Sequence, residues 1–262
     1  MARIVSIANQ KGGVGKTTSA ANLASCEALA GLRCLLIDMD PQANATSGLG
    51  IDPAAVRGKV HPLLRASRRR LGAARPPAID DWIFSRPQTG LHVLAGTPAL
   101  QEVERQISSL PDGHERLASL AEDLRGQYDL IILDCPPSLG LLTVNALYAS
   151  DAVIVPIQCE YFAMEGLSRI LDLIGRVGRS RGRDLAPAGF VLTMFEAAHQ
   201  ICLEVAEEVR RFFKAAVFRT IVPRDVALAE APSHGLSIVD YDPRSPGAHA
   251  YVELSREAFG SG

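Results

Sequence analysis

Two lysines, three glycines and two threonines share one short run that could hold a phosphate and a metal: Asn9-Gln10-Lys11-Gly12-Gly13-Val14-Gly15-Lys16-Thr17-Thr18. Glycines let the backbone curl so that N–H groups from Gly12 through Thr18 can face one anion. A helix starting beyond the loop adds its positive end. Lys16 can reach the β- and γ-phosphates of a nucleotide, and the Thr17 hydroxyl can hold Mg²⁺. The usual pattern has a glycine five places before Gly15. Here Gln10 takes that place, and a second lysine, Lys11, stands at the mouth of the loop. This is the deviant Walker A form. A glycine-rich turn with chance lysines is the alternative, and the flanking pattern argues against it.

Acids close two apolar runs. Residues 34–37 (CLLI) lead into Asp38-Met39-Asp40-Pro41-Gln42. Alternation along an extended segment puts Asp38 and Asp40 on one side. Residues 128–134 (YDLIILD) end in Asp134, a Walker B pattern. An acid at a strand end beside a phosphate loop can hold Mg²⁺ or orient water. Thr17, Asp38 and Asp134 are therefore the expected metal residues, Asp134 through water. A solvated acidic turn is the alternative for 38–42.

These residues need strands and helices to place them. An apolar run at 4–8 precedes the glycine loop, and Ser19-Ala20-Ala21-Asn22-Leu23-Ala24 reads as a helix start. Continuous apolar runs suit strands buried on both faces, and the spacing predicts them at 34–37, 91–95, 128–134, 152–157, 190–194 and 217–222. Helical periods are predicted over 115–125, 141–149, 167–177, 202–213, 225–230 and 251–259. Strands alternate with helices and no repeat period appears. The expected fold is α/β, a doubly wound, mainly parallel sheet with helices on both faces. Its ligand belongs at the C-terminal strand ends.

The chain has 262 residues, 47% of them apolar, and is read as a single domain over 1–262. A net charge of −2 gives no global attraction to nucleic acid or anionic lipid, so such contact needs a local patch. The five cysteines are scattered without C-x-x-C spacing, which indicates neither a zinc site nor a disulfide framework. Buried free thiols are expected. No signal peptide precedes the first strand and no apolar run spans a membrane, so the expected location is the cytoplasm. Residues 51–90 are the least orderly stretch and carry Arg65, Arg68, Arg69, Arg70 and Arg75, a solvated run or an anion contact. Arg176, Arg179, Arg181 and Arg183 cluster at a helix end, where cations suit the dipole.

With these motifs in one order, the sequence resembles the ParA/Soj family of partitioning ATPases, within the wider group that includes MinD. The likeness runs along nearly the whole chain, through 9–18, 38–50 (DMDPQANATSGLG), 133–146 (LDCPPSLGLLTVNA), 156–166 (PIQCEYFAMEG) and 223–235 (PRDVALAEAPSHG). The chain starts almost at the first strand and so looks like the short form. The resemblance implies an ATP-sandwich homodimer that uses ATP and Mg²⁺. Lys11 would cross to the partner's nucleotide, Lys16 would hold its own, and Asp40 would position the attacking water. Pro223 and Asp225 would lie against the adenine, with Asp225 standing where relatives usually have Asn.

The family function implied is an ATP-gated dimer cycle that positions a chromosome, plasmid or protein assembly, on the nucleoid, with a ParB-like or other stimulating partner. Relatives commonly carry DNA-contacting arginines where this chain has Ala198 and Ala227. Non-specific DNA contact would therefore use other cations, first Arg210, Arg211, Lys214, Arg219 and Arg224, with Arg65 to Arg75 and Arg176 to Arg183 in reserve; the alternative is a ParA-like ATPase that has lost DNA binding. Three other readings differ in class. A MinD-like membrane-associated division regulator needs a basic amphipathic tail, and residues 251–262 hold one arginine and two glutamates. An iron–sulfur protein would use Cys135, which has no second cysteine in a cluster context. The third is a nucleotide binder that does not hydrolyse.

Overall fold

Strands that are apolar on both faces need a helix layer on each side, and the chain supplies two. The computed structural model describes residues 1–56, 59, 61–65, 79–164, 166–182 and 184–260. The arginine run at 65–75 lies outside the described residues apart from the backbone of Arg65, and so does Arg183.

Eight strands form one sheet: β1 (Arg3–Ile7), β2 (Cys34–Asp38), β3 (Ile83–Arg86), β4 (Leu91–Leu94), β5 (Leu130–Asp134), β6 (Ala152–Gln158), β7 (Pro187–Phe195) and β8 (Val217–Pro223). Their spatial order is β3-β4-β2-β5-β1-β6-β7-β8. All neighbours pair in parallel except β3 with β4. The helices are α1 (Lys16–Leu29), α2 (Asn44–Gly48), α3 (Pro62–Arg65), α4 (Leu100–Ser108), α5 (Arg116–Leu124), α6 (Leu141–Ala149), α7 (Leu167–Arg181), α8 (Gln200–Phe213), α9 (Val226–Glu230), α10 (Ile238–Tyr241) and α11 (Pro246–Phe259). The expected doubly wound sheet is the one observed.

Alternation along the central strands divides the core in two. Ile4, Leu35 and Ile131 face α4 to α8 and pack with Val103, Leu120, Ala146, Ile174 and Val209. Val5, Leu36 and Ile132 face α1, α10 and α11 and pack with Leu23, Ile238, Tyr251 and Leu254. Each such aliphatic side chain contributes roughly 1.5–3 kcal/mol on burial. Tyr251 also bonds its hydroxyl to Ser19 Oγ at 3.0 Å, which ties the last helix to the first. All five cysteines are buried free thiols, as expected. Among the described residues no helix is long and apolar enough to cross a membrane.

Several elements carry no sequence signal strong enough to read in advance. β3 is a four-residue antiparallel edge of mixed polarity. α4 buries only Leu100, Val103 and Ile107. α11 starts at Pro246 rather than near 251, because Ser245 Oγ caps it by accepting from Ala248 N at 3.1 Å and Pro246 stands in the first turn. Arg181 does more than meet its own helix dipole. Its guanidinium donates to the carbonyls of Leu147 (3.0 Å) and Ser150 (2.6 Å) at the end of α6.

His61 is 3% exposed, lies edge-on to Trp82 at 4.7 Å, and accepts from Leu63 N through Nδ1 at 3.2 Å. Burial pushes its pKa down from 6.5 to about 3. The unfolded state therefore binds the extra proton. The stability this site contributes is complete above about pH 6.5 and is lost as pH falls toward 3. Urea unfolding should show roughly 2 kcal/mol less stability at pH 5 than at pH 7 from this group. His61→Gln should flatten that slope; an unchanged slope in the variant would remove His61 as its source.

Candidate functional site

The loop between β1 and α1 takes its shape from its glycines. Gly13 and Gly15 have φ of 75° and 84°, the left-handed region that other residues avoid. Gly15 is the N-cap of α1, so the loop ends where the backbone N–H groups of the helix are free. The Val14 carbonyl accepts from Thr193 Oγ1 of β7 at 3.0 Å, which fixes the turn from below. Thr18 is held within α1, where its carbonyl accepts from Asn22 Nδ2 at 2.8 Å.

The two lysines sit differently. Lys16 is 6% exposed, and its Nζ donates to the Lys11 carbonyl at 2.7 Å. Burial lowers its pKa, while Asp134, Cys135 and Asp40 pull the other way. The Lys11 ammonium points out of the loop and pairs with Glu160, just beyond β6. Lys11 N is fixed by Asn9 Oδ1 at 3.1 Å. Glu160 is a neighbour of the loop that its residue type alone did not announce.

Parallel pairing brings the acids together. Asp134 on β5 is in register with Ile7 of β1 and with Asp38 of β2. Asp38 and Asp134 are fully buried, and Asp40 is 6% exposed. Asp38 is well satisfied. Its Oδ2 accepts from Thr46 N (2.9 Å) and Thr46 Oγ1 (2.6 Å), and its Oδ1 from Asp40 N (3.1 Å). Thr46 Oγ1 in turn accepts from Gly96 N at 2.8 Å. A Cβ on Gly96 would lie 2.5 Å from Asp38 Cγ, so only glycine admits the carboxylate there. Asp40 Oδ1 accepts from Gln42 N at 2.9 Å.

Asp134 is the opposite case, since neither carboxylate oxygen has a well-formed hydrogen bond. Burial first, then the charge of Asp38, push its pKa well up; the nearby Thr17 hydroxyl and Lys16 oppose this, and Asp40 adds to it. A buried, underbonded acid beside a hydroxyl and an anion-binding loop fits a hydrated divalent cation. Mg²⁺ keeps several waters and takes only one or two protein ligands beside phosphate oxygens. Asp38 shares the pocket, but its oxygens are already committed to the Thr46 turn.

The remaining predicted residues lie further out. Pro223 closes β8, opposite Phe195. Asp225 uses both oxygens on backbone, Oδ1 on Ala227 N (3.0 Å) and Oδ2 on Gly247 N (2.7 Å), and so caps α9 and anchors α11. In the basic group, Arg224 pairs with Glu196 at 2.6 Å and Arg219 lies 3.6 Å from Glu257. Arg210 donates to the Arg219 carbonyl at 3.2 Å. Arg211 and Lys214 are exposed nearby. The structure thus gathers Arg210, Arg211, Lys214 and Arg219 at one corner but neutralises part of their charge.

A glycine loop between the first strand and first helix of a parallel sheet, with acids closing the adjoining strands, defines a P-loop nucleotide-binding protein of the deviant Walker A kind. The profile of the AAA domain family matches residues 2–186. The chain is 44% identical to the sporulation initiation inhibitor protein Soj of Bacillus subtilis over 262 residues, covering all of both chains. It is 45% identical to the chromosome partitioning protein ParA of Myxococcus xanthus over 255 residues, covering 97% of this chain and 87% of that one. Among solved structures, cobyrinic acid a,c-diamide synthase of Mycobacterium smegmatis, with bound ADP and magnesium, superposes with a TM-score of 0.80 at 31% identity, covering 97% of this chain and 93% of that one. The chain belongs to the Soj/ParA family of partitioning ATPases.

Thr46 is the residue on which the Asp38 geometry turns. Thr46→Val removes two bonds, leaving Gly96 N–H and Asp38 Oδ2 short of partners. It should destabilise the protein by roughly 2–3 kcal/mol in denaturant unfolding. Thr46→Ser should restore most of this; equal loss in both would place the effect in packing instead.

Proposed function

We propose that this chain is an ATP-binding and hydrolysing partition ATPase whose ATP-dependent dimer positions or segregates a cargo. The observation that carries this is the division between the two loop lysines. Lys16 is seated inside the loop, and the Lys11 ammonium is held outside it by Glu160. In this reading the amides of Gly12, Gly13, Val14, Gly15, Lys16, Thr17 and Thr18 cradle the phosphates, with Lys16 on the β/γ end. Thr17 and, through water, Asp134 hold Mg²⁺, and Asp38 braces the turn that carries Asp40. Bound Mg²⁺ neutralises charge on the phosphate oxygens. Asp40 orients the attacking water. Pro223 flanks the base, with Asp225 holding the backbone there.

Lys11 reaches the partner's nucleotide in trans. To do so it leaves Glu160. That pair is part-exposed, 29% and 45% by side chain, so its rupture costs under about 1 kcal/mol. The pair therefore parks the lysine without locking it. Supplying a cation in trans makes hydrolysis depend on dimerisation, which suits a reaction where positioning and charge do most of the catalysis. The chain acts in the cytoplasm, with duplex DNA as its surface and a ParB-like or other protein as its stimulating partner. A dimer doubles any weak DNA patch, so affinity for DNA follows ATP without a new contact.

The test separates the lysines. In calorimetry, Lys16→Ala should lower ATP affinity at least about 100-fold, the loss of a charge-assisted phosphate contact. Lys11→Ala should bind ATP like the parent as a monomer, yet form no ATP-dependent dimer in light scattering and release no phosphate. Normal turnover by Lys11→Ala would falsify the trans assignment. Asp40→Ala should accumulate as an ATP-bound dimer with hydrolysis reduced by about 100-fold or more. A monomer with ordinary turnover would sink the role given to Asp40.

A further inference from the structure

We propose that the outward face of α7 is the surface on which this chain holds a nucleic-acid phosphate backbone; the ATP dependence of that contact rests on the ATPase reading above. Arg169, Arg176 and Arg179 recur at helical spacing and line one shallow groove of about 550 Å³ with Leu139, Asp172 and Gly175. All three arginines are exposed, and among the described residues none forms an ion pair or hydrogen bond. Several arginines elsewhere meet carboxylates: Arg33 with Asp129, Arg105 with Glu102, Arg125 with Asp151, Arg224 with Glu196; Arg211 of α8, like these three of α7, forms no ion pair among the described residues. The bare backbone of Gly175 lets the Arg179 guanidinium lie close over the helix, 3.4 Å from where a Cβ would stand.

Charge selects α7 over the α8 corner. Four arginines and one aspartate give α7 a net +3. Two arginines and three glutamates give α8 a net −1. A polyanion approaching α8 meets Glu204, Glu207 and Glu208, all exposed. The spacing suits a strand of phosphates. Ten residues from Arg169 to Arg179 span about 15 Å of helix, some four steps of a duplex at about 3.4 Å each. Arginine forks pair bidentately with phosphate. No exposed large apolar residue belongs to α7, so the face offers no anchor for an amphipathic peptide or an acyl layer. Leu139 belongs to the loop that leaves Asp134, so one wall of the groove is continuous with the nucleotide site.

The experiment titrates a random 30-base-pair duplex into the full chain with ATP and Mg²⁺, reading fluorescence anisotropy from about 50 to 200 mM salt. Three proteins are compared: the parent, Arg169→Ala/Arg176→Ala/Arg179→Ala, and Arg210→Ala/Arg211→Ala/Lys214→Ala. The α7 variant should bind at least about 30-fold more weakly, with a salt slope smaller by about 3 per chain. The α8 variant should stay within about threefold of the parent. Phosphate release and dimer mass without DNA should match in all three. An α7 variant with the parent's affinity and slope overturns the proposal, as does a parent that ignores duplex but binds an acidic protein or anionic vesicles. A parent that neither dimerises with ATP nor hydrolyses it fails the ATPase reading instead, and the α7 effect on DNA then stands or falls alone.

Discussion

A carboxylate buried with too few donors costs several kcal/mol, and Asp134, whose oxygens lack a well-formed hydrogen bond, is such a group. The rest of the architecture can be understood as what holds it in place. It ends β5 between β2 and β1, at the centre of the sheet, where parallel pairing on both sides leaves its backbone no freedom. The same pairing sets Asp38 beside it and brings the loop after β1 across the strand ends. Among the described residues Lys16 and Thr17 supply the countervailing groups, and burial still wins over both. The site is strained toward accepting positive charge at the acids and negative charge at the loop. A cation and a phosphate chain bound together relieve both, which neither does alone.

The two lysines show how one short segment holds two cations in different surroundings. Five residues apart, they share a hydrogen bond, because Lys16 Nζ uses the carbonyl of Lys11. That bond holds the backbone of Lys11 while leaving its side chain to Glu160. The inner lysine is desolvated, so its interaction with an anion is strong and little screened. The outer one remains partly in water, so its partner can be exchanged at small cost. A desolvated cation and an exchangeable one are thereby placed on different side chains with different dielectric surroundings.

What was legible in the sequence was what repeats or what must be a particular residue. Unbroken apolar runs gave the buried parallel strands, since no other setting hides both faces. The glycine loop was legible because Gly13 and Gly15 occupy backbone regions that few residues enter. Less was legible where a contact joins distant segments. Nothing in the residue types of Thr46 and Gly96 foretells that they bracket Asp38; the close approach exists only once β4 lies beside β2. Asp38 was expected at the metal and is found committed to that turn. Asp225 was expected at the base and is found between two backbone N–H groups. Carboxylates are acceptors wherever they fall, and tertiary placement decides what they accept. The short edge β3 and helix α4 were missed because half-exposed elements of four and nine residues carry too few buried positions to set a period.

The surface obeys a looser rule than the centre. A net charge of −2 conceals uneven pairing, because what a polyanion meets is the cations that lack a neighbouring acid. At the α8 corner Arg219 and Arg224 each have an acid nearby and Arg210 a carbonyl, so part of the charge there is neutralised locally. Along α7 the single acid, Asp172, stands among Arg169, Arg176 and Arg179, which form no ion pair among the described residues. Helix faces away from the strand ends are free to change charge without disturbing the buried acids, since no core position is involved. A family that keeps its centre can therefore move its charged surface from one helix to the next.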